Sequence, residues 1–161
     1  MKKLKNNIPI FFSILLTALM LTACGEDPEL AEFKKNMDDF CTKISEIDSD
    51  INSIDAKSEY ATSELLSYLD ELNRVFQDFS KLDFPEEFDD LEWLADEASE
   101  YMTEAVKSYH EAYGSGSYNE AMAEYARQNY SRSYKRIQII ITLLHGDTPD
   151  DPDLKIEYNR E

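Results

Sequence analysis

Apolar residues in the first half of the chain fall at Leu30, Phe33, Met37, Phe40, Ile44, Ile47, Ile51 and Ile54, alternately three and four apart. This period is the seam of an α-helix that packs against other helices. Asp27-Pro28-Glu29 supplies the start: an N-cap acid, a proline whose missing N–H costs nothing in the first turn, and an acid near the positive end of the helix dipole. The same phase runs on through Ser58, Ala61, Leu65, Tyr68, Leu72, Val75 and Phe79, which admits a single helix from 28 to about 80. Residues 48–58 are rich in Ser, Asp and Asn, whose side chains compete for backbone groups and favour caps and turns. A break near 55–58 gives two helices of about 25 residues each, matching the two that follow, so the pattern favours a hairpin.

Asp83-Phe84-Pro85-Glu86-Glu87 is a second proline-marked helix start, which ends the preceding helix near Leu82. A third helix carries Leu91, Leu94, Ala98, Tyr101, Met102, Ala105, Tyr109 and Ala112 on one face and stops at Gly114-Ser-Gly116. Ser117-x-x-Glu120 reads as a capping box for a fourth. That helix places Met122, Tyr125, Ala126, Tyr130, Ile137, Ile140, Ile141 and Leu144 on its apolar face and is stopped by Gly146. No alternating strand pattern appears in residues 26–146. The expectation is an all-α domain, an antiparallel up-down four-helix bundle over residues 24–146, each helix roughly 40 Å long. Residues 147–161, with Pro149 and Pro152 among acids, form a C-terminal tail. Three apolar residues lie off phase: Trp93, Ile139 and Leu143 either form a partner patch or, the favoured reading, close the lower end of the bundle with Phe84 and Phe88.

Charge changes the picture outside the core. The chain has 34 Asp+Glu against 16 Lys+Arg, a net charge of −18, which opposes nucleic-acid binding because that needs cations on phosphates. The acids are uneven: residues 86–111 hold ten, with Lys107 the only base there besides His110. Arg127, Arg132, Lys135 and Arg136 on the fourth helix make helices three and four expected antiparallel neighbours. A hydrophobic share of 42% exceeds that of a disordered chain, and two cysteines cannot make a disulfide framework.

Residues 1–23 stand apart from this helical pattern. Lys2, Lys3 and Lys5 precede a mainly apolar run from Ile8 to Leu21, too short to span a bilayer, which needs about 20 residues. The run ends in Leu21-Thr22-Ala23-Cys24-Gly25, which resembles the lipobox of bacterial lipoproteins. That resemblance covers residues 1–25. It implies cleavage between Ala23 and Cys24, diacylglycerol on the Cys24 thiol and fatty acyl chains that anchor the protein at the extracytoplasmic face of the cell membrane. The mature domain likewise resembles small lipoproteins of bacterial envelopes, without a motif that ties it to an activity. Removing residues 1–23 takes three bases and no acids, leaving 13 Lys+Arg against 34 Asp+Glu, a net −21. Anionic lipid headgroups repel such a domain, so the acyl chains must do the holding.

Chemistry-bearing constellations are sparse. Asp48-x-Asp50-x-Asn52 with Glu59 follows the outline of a calcium loop, but Ser53 stands where glycine is required, and Ile51 and Ile54 keep helical phase through it. Lys107 and Thr142 stand where a di-iron bundle would need glutamates before His110 and His145, so solvated histidines and no metal are expected. Cys41, bordering the first seam among Asp38, Asp39 and Phe40, reads as a half-buried small residue rather than a reactive thiol. No nucleophile–base arrangement and no phosphate-cradling glycine loop is assignable, so no catalytic residue and no cofactor is expected.

Tyrosine is the compositional oddity. Seven of the ten lie in or beside helices three and four. Tyr109, Tyr113 and Tyr118 flank the Gly114–Ser117 turn, and Tyr60 flanks the turn expected at the same end of the bundle. These four are the candidate binding residues, since a phenol offers apolar area with a polar handle. The expected function is a membrane-anchored, non-catalytic binding or scaffold module for an envelope or extracellular protein, peptide or glycan. The alternative is an inhibitor or immunity-type lipoprotein that blocks a basic protein partner with its acidic face.

Overall fold

A computed structural model describes residues 27–114 and 116–149. The expected leader, Cys24 and most of the tail lie outside the described residues. The described chain is helical, with no strand, and forms α1 (Pro28–Ser53), α2 (Ala61–Phe79), α3 (Glu92–Gly114) and α4 (Glu120–Leu144). A 3₁₀ segment, Glu86–Leu91, leads into α3. None of these helices is long and apolar enough to cross a membrane. Packing runs α1 on α2, α2 on α3 and α3 on α4, with α4 linked back to α1 by side-chain hydrogen bonds, an up-down-up-down bundle.

The first helix follows its sequence pattern closely. Asp27 Oδ1 accepts the Glu29 N–H at 3.1 Å, and Pro28 occupies the first turn. Six seam residues from Phe33 to Ile51 are buried, while Leu30 and Ile54 at the ends are half-buried. The chain breaks at Ile54 to form a hairpin rather than one long helix. Asp55 Oδ1 accepts the Lys57 N–H and Ser58 Oγ accepts the Tyr60 N–H, so the polar residues of this stretch build the turn. The break frees α2 to adopt its own phase. Leu69, Leu72, Phe76 and Phe79 are buried, whereas Tyr68 and Val75, which continue the phase of α1, are half-buried.

Three boundaries differ from the sequence reading. α2 ends at Phe79 rather than near Leu82. Pro85 starts the 3₁₀ segment, and α3 begins only at Glu92. The reason is packing: Phe84 must turn inward, its ring 4.6 Å from Phe33 and 6.0 Å from Phe79. The N-cap of α4 is Asn119, not Ser117; its Oδ1 accepts the Met122 N–H at 3.2 Å. At the other end of α4 the Gly146 N–H donates to the Leu143 carbonyl and the Asp147 N–H to the Thr142 carbonyl. This Schellman closure needs the left-handed φ of +78° that Gly146 supplies.

Two kinds of packing hold the bundle. Between α1 and α2 the core is aromatic: Phe40 stacks on Phe79 at 4.2 Å and meets the edge of Phe76 at 5.3 Å. Between α3 and α4 it is small. Ala98, Ala105 and Ala112 on α3 and Ala123, Ala126 and Ser133 on α4 are all fully buried. Short side chains let the two backbones approach, and Ser133 Oγ donates to the Ala98 carbonyl at 2.7 Å. The expected charge pairing of these neighbours is seen in Arg136 Nε on Glu97 Oε2 at 2.6 Å, with Arg136 and Arg132 also over the Tyr101 ring. Ile139, Leu143 and Phe84 are buried and close the lower end, with Phe88 half-buried. Trp93 does not join them: it is 46% exposed, because it lies on the Glu97 and Glu100 side of α3, away from Leu91 and Leu94.

Candidate functional site

The antiparallel order puts the α1–α2 and α3–α4 turns at one end, opposite the start of α1. Three of the four candidate tyrosines meet there. Tyr109 and Tyr113 are one helical turn apart on α3 with parallel rings, centroids 6.3 Å apart, and Tyr118 comes off the turn to 5.3 Å from Tyr113. Gly116, with φ of +74°, gives the reversal its left-handed residue, and the Asn119 N–H closes it onto the Ala112 carbonyl at 3.0 Å. Arg127, two turns along α4, is gripped by Glu124. The fourth candidate stands apart. Tyr60 starts α2 on the neighbouring hairpin, 61% exposed, and its ring meets no other ring among the described residues.

Burial keeps the Tyr109 and Tyr113 phenols neutral. Burial pushes Tyr109 up to about 12, with the Arg127 charge pulling the other way. Tyr113 is raised by burial and then by Tyr118. Each ring therefore offers a hydroxyl that donates and accepts, next to an apolar face. On the other flank of the same turn an open depression is lined by Lys107, His110, Glu111, Gly114, Asn119 and Met122. His110, 44% exposed, shares a 2.8 Å hydrogen bond with Asp70, tying α3 to α2.

The remaining sequence candidates take structural places. Cys41 is half-buried and its thiol is raised to about 11, first by burial and then by Asp38. The calcium-loop outline is helical through Ser53, and its first acid, Asp48, is taken by tyrosines. Among the described residues no group of His, Cys, Asp or Glu is arranged to hold a metal ion.

Sequence reasoning missed one polar constellation. Tyr130 and Tyr134, a turn apart on α4 and stacked at 4.8 Å, both donate to the Asp48 carboxylate of α1, Tyr130 at 2.7 Å and Tyr134 at 3.0 Å. Its signal was present. Asp48 lies seven residues after Cys41, on the flank of the α1 seam, and Tyr130 and Tyr134 are spaced i, i+4. What no spacing could supply was the pairing of these positions across 82 and 86 residues.

The tyrosine group and the open depression share the α3–α4 turn, whereas the carboxylate held by phenols lies between α1 and α4. No protein-family model, curated protein or solved structure matches this chain.

Proposed function

We propose that the protein is a membrane-anchored, extracytoplasmic lipoprotein that acts as a non-catalytic binding module. Acylated Cys24 holds it to the lipid bilayer, and the end bearing Tyr109, Tyr113 and Tyr118 meets an envelope or extracellular protein, peptide or glycan. The lipobox residues 21–25 support the anchor. The observation that carries the binding reading is the clustered Tyr109–Tyr113–Tyr118 rings at the end opposite the start of α1, with Tyr118 55% exposed. Capture from envelope extracts by the full chain and by the Tyr113→Ala/Tyr118→Ala variant tests it. Loss of the captured partner is expected, and undiminished capture refutes the tip assignment. For the anchor, Cys24→Ser is expected to lose the acyl mass and leave the membrane fraction.

The inhibitor reading has its own observation: Asp89, Asp90, Asp96 and Glu100 are exposed around the exposed Trp93. It requires a basic partner whose association weakens steeply with salt. Capture that is insensitive to salt but lost with the tyrosines removes it.

A further inference from the structure

α1 and α4 are joined differently from the other neighbours. α3 and α4 approach backbone to backbone, whereas α1 and α4 stand farther apart and are bridged by long side chains. At the bridge, two phenol oxygens and a carboxylate are joined by a chain of hydrogen-bond distances. The Tyr130 hydroxyl is 2.7 Å from Asp48 Oδ1, the Tyr134 hydroxyl is 3.1 Å and 3.0 Å from Oδ1 and Oδ2, and the two hydroxyls are 3.1 Å apart. The phenols bring one proton each. With Asp48 ionised, both protons point at the carboxylate, and the phenol–phenol contact has none to share. A third proton on the carboxyl lets Asp48 donate to one hydroxyl while it still accepts from the other.

We propose that Asp48, Tyr130 and Tyr134 form a proton-binding clasp across the α1–α4 seam, which tightens α1 onto the bundle in acid and loosens it as the pH rises. The surroundings fit this role. Besides burial, the groups that act on the Asp48 carboxyl are the two phenols on α4. From α2 it is the apolar ring of Phe76, 5.6 Å from Tyr134, that backs the clasp. On α1 the neighbours a turn away are Ile44, Ser45, Ile51 and Asn52, and the Asn52 Nδ2 donates to the Asp48 carbonyl rather than its carboxylate. Arg127, the nearest base toward the turn on α4, is engaged by Glu124. Burial raises the Asp48 carboxyl above its ordinary value, more than the two phenols lower it. Both phenols are held well above the ordinary tyrosine value, again by burial first, so they remain proton donors throughout. The sign follows from linkage. A carboxyl raised in the folded state adds stability that is full below its unfolded value and is lost as pH rises through the folded one.

Hydrogen exchange followed by mass spectrometry on the full chain in detergent tests the clasp, between pH 4 and pH 7 and corrected for intrinsic exchange. Amides of α1 are expected to exchange about threefold or more faster at pH 7 than at pH 4, relative to Asp48→Asn, with α3 and α4 unchanged. An equal rise in Asp48→Asn overturns the proposal, since the rise then belongs to the general repulsion of the acidic chain. Tyr134→Phe covers the case in which Asp48→Asn fails to fold. It removes a donor to the carboxylate and must move the loosening to higher pH, and an unmoved profile overturns the clasp. Carbon-13 titration of the wild-type protein must also place the Asp48 carboxyl above the exposed aspartates.

Discussion

Replacing Phe76 by alanine tests the core at its hub. The ring is fully buried, meets Phe40 edge-on at 5.3 Å and backs Tyr134 at 5.6 Å, so three of the four helices lose a contact at once. Truncating a buried phenylalanine costs about 3–5 kcal/mol, the transfer of the lost ring plus the cavity it leaves. Residues 27–149 make up about 120 residues; at about 2.1 cal/mol/K each, the unfolding entropy is about 0.25 kcal/mol/K. The melting temperature should therefore fall by about 12–20 °C. Trp93→Ala is the matched comparison, because that larger ring is 46% exposed and its loss should cost less than about 1 kcal/mol, or under 4 °C. Thermal denaturation followed by circular dichroism measures both. Equal losses for the two variants would refute the burial assignment. If Phe76→Ala is too unstable to give a folded baseline, Ile44→Val makes the same comparison at about 0.5–1.5 kcal/mol.

Arg136→Ala should cost about 1–2 kcal/mol, since its guanidinium is largely buried on Glu97 beside Tyr101, while Lys81→Ala, from a well-exposed pair with Asp78, should be neutral in the same denaturation assay. The Ser108 hydroxyl is buried with no hydrogen-bond partner among the described residues, so Ser108→Ala should raise the urea midpoint by about 0.5–1 kcal/mol equivalent; a loss of stability would mean that the hydroxyl has a partner. Asn119→Ala should cost about 1 kcal/mol through the lost cap of α4, and Ser117→Ala should cost less. Cys41 should resist a thiolate-selective reagent until the pH approaches its value of about 11; rapid labelling near pH 8 would contradict its burial.

Legibility varied with the distance over which a residue is decided. The α1 seam was readable because each of its buried residues follows from local period alone, and the caps at Asp27 and Gly146 follow from local backbone chemistry. In α2 the local pattern misled. Tyr68 and Val75 continued a convincing phase, yet the turn at 54–60 uncoupled the helices and Leu69 and Phe76 took the interior. Tyr125 shows the limit on α4: by spacing it shares a face with Ala126 and Tyr130, but it is 43% exposed, because the close approach of α3 leaves that edge no room for a ring. The tyrosine group was readable as a local cluster around one turn. Asp48 was not, since what makes it unusual is the company of two phenols from the other end of the sequence.

The alanine- and serine-lined contact of α3 with α4 bears on the order of assembly. These helices are joined by the short turn between Gly114 and Glu120, so their pairing closes a small loop and can form early. α1 leaves the ribosome first, yet the hydroxyls that clasp its Asp48 follow 82 and 86 residues later. Until α4 is made, the apolar seam from Phe33 to Ile51 lacks part of its cover, and during synthesis this is the surface that a chaperone would hold. The helix that begins the bundle is the last to be sealed into it.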